Sequence, residues 1–292
     1  MEAPPPVSVR ITGSTRIAGL FGFPVSHSLS PVMHCAAYEA LGLNWAYVPF
    51  NVPPESIPAA VASIRALNMV GANVTVPHKA AVIPHLDWID EGAARIGSVN
   101  TIHNVDGKLH GYSTDGRGYL TSIRTHNIPL ENRDVLVLGA GGSARAIVFA
   151  LAFVGAQITL SNRTTASAQE LASSVNAWYP HSVTVIEWGK ECGPVDLIVN
   201  TTTMGMSSTG SETPILPPGM PYAGQIVYDI IYTPMETPLL KLAKKIGCEA
   251  YNGVGMLVYQ GVHSLSIWSG IPVNDIPATL MENVVLRELQ NR

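Results

Sequence analysis

Apolar residues in the first third of the chain fall in short runs, each stopped by glycine or proline. Ile17-Ala18-Gly19-Leu20-Phe21-Gly22 ends at Pro24 and predicts a strand feeding a loop. Ser30 before Pro31 is a good N-cap and N1 combination, and Met33, Ala36, Ala37, Ala40 and Leu41 recur at helical spacing until Gly42. Trp45 to Phe50 predicts a second strand, Pro58 to Leu67 a second helix, and Gly71 to Val76 a third strand stopped by Pro77.

From about Val135 to Ala250 the alternation is more regular. Val135 to Leu138, Gln157 to Leu160, Val183 to Ile186, Leu197 to Asn200 and Ile226 to Ile230 are short, continuous and β-branched, the pattern of buried parallel strands. Ser207 to Pro218, rich in Ser, Thr, Gly and Pro, predicts a loop that moves near a ligand. Met256 to Trp268 turns helical again, and Pro277 to Gln290 carries Leu280, Val284 and Leu289 on one stripe. The pattern holds no internal repeat. Strands alternating with helices predict an α/β protein with ligand groups at strand ends.

Composition narrows the function. A chain of 292 residues, 47% hydrophobic and 13% charged, has material for one large or two medium cores. A formal charge of -4 with scattered Lys and Arg gives no footprint for nucleic acid, so small-molecule chemistry is favoured. Cys35, Cys192 and Cys248 are too few and too dispersed for a disulfide framework or thiolate metal site, and read as reduced packing residues. The histidines show no ligand spacing, so no metal is expected. Met1 to Pro6 reads as a poorly ordered proline-rich stub without secretory character, and no apolar run reaches the ~20 residues that span a bilayer. A cytoplasmic protein with no membrane partner is the expectation.

Three polar runs carry candidate chemistry. Val135 to Leu138 leads into Gly139-Ala140-Gly141-Gly142-Ser143-Ala144, in which Gly139, Gly141 and Ala144 match the turn that brings backbone against a pyrophosphate at a helix N-terminus. About twenty residues on, where an NAD site places an acid for the ribose hydroxyl, stands Ser161-Asn162-Arg163-Thr164. Arg163 offers a charged fork for a 2'-phosphate, with Asn162 and Thr164 adding hydrogen bonds, so NADP (NADPH) is the expected cofactor. Lys79, closing Asn73 to Lys79, and Asp115, within Gly111 to Gly116, sit in runs of the kind that handle a hydroxyl beside a nucleotide.

Taken in order, Ser26 to Pro31, Asn73 to Lys79, Ile96 to Thr101, Ser113 to Gly116, the glycine turn, Asn162 to Thr164 and Gly253 to Leu257 with Gln260 resemble the motifs of shikimate dehydrogenases over nearly the whole chain. The resemblance implies two domains with a cleft between them. One is an N-terminal α/β substrate domain with a mixed sheet, residues 1-113 completed by helices in 254-292; the other is a Rossmann-type doubly wound parallel-sheet NADP domain, 114-253. It implies reduction of 3-dehydroshikimate to shikimate, with Lys79 and Asp115 as the acid-base pair. Ser28 and Ser30 with Tyr232 would hold the substrate carboxylate, and Asn73, Thr75, Lys79, Asn100, Asp115 and Gln260 would meet its ring. Glu91, Ile230 and Gly253 would lie near the nicotinamide. His78 is expected to support the lysine loop.

Two departures stand out: Ser113 where many relatives have asparagine, and Thr165, Ala166 and Ser167 where many carry a second basic residue. The nearest rival is a quinate/shikimate dehydrogenase using NAD or both cofactors, against which Ser30 leans toward shikimate. A silent nucleotide sensor or a transcriptional regulator on the same fold is disfavoured by Lys79, Asp115 and the absence of a basic segment. A monomer or homodimer is expected.

Overall fold

A computed structural model describes residues 10–207 and 212–291. The Met1 to Pro6 stub and positions 208–211 of the predicted mobile loop lie outside the described residues. The chain forms two compact units: one runs through Thr114 and resumes at Val258, the other is Asp115–Leu257.

In chain order the first stretch holds β1 (Arg16–Gly22), α1 (Ser30–Ala40), β2 (Trp45–Asn51), α2 (Ile57–Ala66), β3 (Gly71–Val74), β4 (Trp88–Ile89), α3 (Glu91–Ile96), β5 (Thr101–Val105) and β6 (Lys108–Tyr112). The second unit holds α4 (Asp115–Thr125), β7 (Asp134–Leu138), α5 (Gly142–Phe153), β8 (Gln157–Ser161), α6 (Thr165–Asn176), β9 (Val183–Ile186), β10 (Leu197–Asn200), β11 (Ile226–Asp229), α7 (Pro238–Ile246) and β12 (Glu249–Tyr251). Two last helices follow, α8 (Val254–Ser269) and α9 (Ala278–Gln290), and most of α8 and all of α9 return to the first unit.

The first unit's sheet has the order β2-β1-β3-β5-β6-β4. Strands β1, β2 and β3 run parallel, while β3 with β5 and β5 with β6 are antiparallel, so the sheet is mixed. Its core sets Val61 and Ile64 of α2 against Val74, Ile102 and Leu109 of the strands. Helices α1 and α9 pack together within the same unit, and α8 lies so close to α1 that a Cβ on Gly261 would run into the Met33 side chain. Strand β3 stops at Val74, two residues before the predicted end, because Val76-Pro77 enters a turn and proline has no N–H for a ladder.

The second unit's sheet is parallel throughout, in the order β12-β11-β10-β7-β8-β9. Its central residues Leu136, Leu138, Ile198 and Val227 are wholly buried, as expected for strands covered by helices on both faces. The strand order reverses between β7 and β10, the switch point at which doubly wound sheets open a crevice beyond their carboxyl ends. Strand β11 ends at Asp229, one residue short of the predicted Ile230.

Among the described residues no helix is long and apolar enough to cross a membrane, and no His, Cys, Asp and Glu cluster is arranged to hold a metal. The three cysteines are free thiols, and burial pushes each above its usual range.

Candidate active site

In the first unit the polar residues at the strand ends are joined by a buried hydrogen-bond network. The Asn73 amide nitrogen lies 3.1 Å from the Asn100 carbonyl, 3.1 Å from Thr101 Oγ1 and 2.9 Å from Ser264 Oγ, more acceptors than its two hydrogens can serve. Its Oδ1 accepts from the Tyr47 hydroxyl at 2.8 Å, and Tyr47 in turn interacts with the Ser30 hydroxyl. Asn73 thus has its amide committed to protein groups, and the network makes it a scaffold for Asn100. Asn100 Oδ1 accepts from the Thr114 N–H at 2.7 Å, and its Nδ2 reaches Thr114 Oγ1 at 2.9 Å and Gln260 Oε1 at 3.5 Å. Ser264, one turn below Gln260 on α8, ties Thr101 and Thr114 to the helix at 2.8 and 3.2 Å.

Ser30 corrects the expectation of a capping serine. It is the first residue of α1, the cap position falls to Leu29, and no side chain caps the helix. Leu29 has φ -96° and ψ 0°, so Ser28 and Ser30 flank a turn rather than an extended pair, and the Ser30 N–H donates to Ser28 Oγ at 3.2 Å.

The lysine loop is built from β3 outward. Thr75 N–H donates to the Phe21 carbonyl at 2.8 Å, and Gly22 leaves the room that the Thr75 methyl fills. The buried His78 ring meets the Val52 carbonyl at 2.7 Å, the supporting role expected of it. The Lys79 carbonyl accepts from Val99 N–H at 2.9 Å, which holds the lysine turn beside Asn100.

Asp115, buried, opens α4 in the second unit, where the helix N-terminus favours a carboxylate. The glycine after it sets the height of this helix: a Cβ on Gly116 would stand 2.7 Å from the Ala146 carbonyl of α5. Only glycine lets the two helices approach so closely.

The nucleotide side lies along the carboxyl ends of β7, β8, β10 and β11. Gly139 takes φ +108°, and a Cβ there would collide with Thr201 Oγ1 after β10, so the first glycine is required twice over. A Cβ on Gly141 would meet nothing within 4 Å, so the backbone there faces open space, and no side chain caps α5. Exposed N–H groups at this end fit a pyrophosphate, while wholly buried Ala144 packs the helix onto the sheet. Ala140, Gly142 and Ser143 complete the turn. Past β8, Arg163 is exposed with no ion pair among the described residues, the Asn162 amide donates to the Thr164 carbonyl at 2.9 Å, and no acid stands nearby in the turn. That donor set fits a 2'-phosphate.

Ile230 and Gly253 touch: a Cβ on Gly253 would overlap the Ile230 backbone, and Gly253 N–H donates to the Ile231 carbonyl at 3.0 Å. Half-buried Tyr232 follows on the same segment. Glu91 falls in the first unit, opening α3 over an Asp90 cap, exposed and ion-paired with Arg95. Tyr47, Thr101, Thr114, Ser264 and Thr201 complete these arrangements, although the hydrophobic pattern gave no sign of them. Thr101 and Thr114 lay within the polar runs already quoted, whereas for Tyr47 and Ser264 the one available signal was a hydroxyl or phenol inside an otherwise apolar element.

Three family models match the chain. The shikimate dehydrogenase substrate binding domain covers residues 20–102, shikimate / quinate 5-dehydrogenase 122–224, and the shikimate 5'-dehydrogenase C-terminal domain 253–286. A shikimate dehydrogenase (NADP(+)) of Moorella thermoacetica is 45% identical over 287 residues, 96% of this chain and 95% of that protein. One of Desulforamulus reducens is 43% identical over 288 residues, 96% of this chain and 98% of that one. A crystal structure of a shikimate dehydrogenase in complex with NADP+ superposes with a TM-score of 0.92 at 37% identity, over 98% of this chain and 99% of that one.

Proposed function

The chain belongs to the shikimate dehydrogenase family, and from that membership we propose that it reduces 3-dehydroshikimate reversibly to shikimate with NADPH, using Lys79 and Asp115 as its acid-base pair. One observation carries the site assignment. The Lys79 turn is bonded to Val99, the next residue Asn100 is clamped to Thr114, and Thr114 directly precedes Asp115. Backbone and amide bonds thus order the lysine turn and the chain as far as Thr114, the residue before Asp115, which supports this reading.

When held by the glycine turn and Arg163, NADPH would supply the hydride for the ketone carbon and NADP would accept it from the alcohol carbon. On reduction, Lys79 donates a proton to the carbonyl oxygen as negative charge develops there; on oxidation it takes the hydroxyl proton back. Asp115 accepts a hydrogen bond from the Lys79 ammonium or from the substrate hydroxyl and holds the reacting oxygen in line. Ser28, Ser30 and Tyr232 hold the substrate carboxylate with hydroxyl donors. Thr75, Asn100 and Gln260 meet the ring hydroxyls, and Asn73 orients Asn100 from behind. The turn from Gly139 to Ala144 takes the pyrophosphate, Asn162, Arg163 and Thr164 the 2'-phosphate, and Ile230 and Gly253 bound the nicotinamide end, to which Glu91 is also assigned.

The test follows NADPH absorbance with shikimate and quinate, each with NADP and NAD. Activity greatest with shikimate and NADP is expected. Replacing Lys79 by alanine is expected to lower turnover ~100-fold or more while shikimate still binds, the usual size of an acid-base effect. Near-normal turnover in that variant would remove Lys79 from the mechanism.

A further inference from the structure

Beyond the residues that would touch substrate or nucleotide, the second unit buries one carboxylate with no charged partner among its bonded neighbours. Asp229, the last residue of β11, is wholly buried. Its Oδ1 accepts from Asn200 Nδ2 at 2.9 Å and from Ile231 N–H at 3.1 Å, and its Oδ2 accepts from the Thr237 hydroxyl at 2.7 Å. Each of these donors belongs to a different segment. Asn200 ends β10 in register with Asp229, and its own Oδ1 accepts from Thr202 N–H and hydroxyl at 3.1 and 2.7 Å. Thr237 is the N-cap of α7, accepting from Leu240 N–H at 3.3 Å. One carboxylate therefore ties together the turn after β10, the turn after β11 and the start of α7.

The segment so tied, 230–236, is the one that carries Ile230 and Tyr232. It is gripped from its other side by Gly253, bonded to the Ile231 carbonyl, and by the Asn252 amide, which donates to the Met235 carbonyl at 3.1 Å. The groups facing Asp229 are Asn200 from β10, Thr237 from α7 and Ile231 from the segment itself, all of them neutral. Burial pushes the acid up to about 6 against the pull of its three hydrogen bonds. An ionised carboxylate in such surroundings weakens the fold at neutral pH, and an apolar or amide residue would serve packing better.

We propose that Asp229 is a positioning residue for the reaction, its carboxylate setting the course of segment 230–236 and thereby the placement of Ile230 and Tyr232. This rests on the assignment of those two residues under the proposed function. Asp229→Asn keeps an acceptor for Asn200 and Ile231 but turns a donor toward Thr237, so the hydroxyl loses the acceptor for its own hydrogen and must reverse, which shifts the α7 end of the tie.

The experiment compares wild type, Asp229→Asn, Thr237→Val and Thr237→Ser. It reads thermal unfolding, NADPH affinity by fluorescence titration, and kcat and KM for shikimate from pH 5 to 9. Asp229→Asn and Thr237→Val are expected to raise the shikimate KM at least tenfold, with NADPH affinity within threefold of wild type. Thr237→Ser is expected to retain wild-type kinetics. The wild-type KM is expected to rise below about pH 6 and that of Asp229→Asn to stay flat there. Should Asp229→Asn fail to fold, Thr237→Val and the wild-type pH profile decide. A shikimate KM within twofold of wild type in the folded variants, or kinetic losses that follow the melting temperature alone, would overturn the proposal. A wild-type enzyme inert toward shikimate would overturn the proposed function, and this proposal with it.

Discussion

Arg163 stands exposed past the end of β8, with Thr165, Ala166 and Ser167 after it and no further cation in that turn. Under the proposed function a lone guanidinium therefore carries the charge discrimination between the two nicotinamide cofactors. Its replacement by alanine is expected to raise the NADPH KM by about 10-fold or more, since charge-assisted hydrogen bonds contribute roughly 1.5–3 kcal/mol each, and to leave the NADH KM within twofold. Steady-state kinetics with both nucleotides check this. At this scale, residues in contiguous polar runs were legible in the sequence: Lys79, Asp115, the glycine turn and Arg163 announce themselves by what surrounds them. Tyr47, Ser264 and Asp229 did not, because each lies in an apolar strand or helix where local pattern cannot tell a packed polar group from a bonded one. Asn73 was legible as a polar strand-end residue, but its bonding to four neighbours could not be read from the chain.

Among the elements, α4 is held closely in place. It begins with Asp115, and Gly116 rests on the Ala146 carbonyl, an atom of backbone that cannot swing aside. Gly116→Ala is expected to push α4 off α5, costing about 1–3 kcal/mol as overpacking does, and to lower kcat more than the shikimate KM. Chemical denaturation and steady-state kinetics measure the two effects. An alanine variant as stable and active as wild type would show that the helix pair has slack. The elements themselves were legible where periodicity was strong: the five predicted Rossmann strands match β7 to β11 within about a residue, and α1, α2, α8 and α9 were foreseen. The β5–β6 hairpin was not, although Asp106-Gly107, with φ 50° and 80°, is the two-residue turn that such a hairpin favours. Strands β4 and β12, two and three residues long, are too short to leave a period in the sequence.

For the whole molecule, the two units carry buried groups that respond to acid in opposite directions. His34 of the first unit is wholly buried, stacked on Tyr47 with ring centroids 4.4 Å apart, and neither ring nitrogen has a hydrogen-bond partner among the described residues. Burial lowers it to about 3 from 6.5. The unfolded chain therefore binds this proton first, and stability is lost as pH falls below 6.5 by roughly 1.4 kcal/mol per pH unit. Asp229, raised from 3.8 to about 6, does the reverse: the folded second unit holds its proton more tightly, so stability increases as pH falls from about 6 toward 3.8. Calorimetry at pH 7 and pH 5 is expected to show a first-unit transition that falls and a second-unit transition that does not. His34→Phe is expected to flatten the falling one. A single transition shifting as one, unchanged in that variant, would contradict the expectation.

The first unit is written in two pieces, with the whole of the second between them. Helix α9, whose Met281 and Val285 are wholly buried, is synthesised only after the whole of the second unit, whereas its neighbour α1 precedes that unit. During synthesis the inserted unit is complete while the outer one still lacks its closing helix. Newborn chains therefore pass through a stage with a finished nucleotide half and an apolar face on α1 awaiting cover. In that interval the polypeptide is open to chaperones and proteases, and a premature stop between Val258 and Ala278 would prolong it indefinitely.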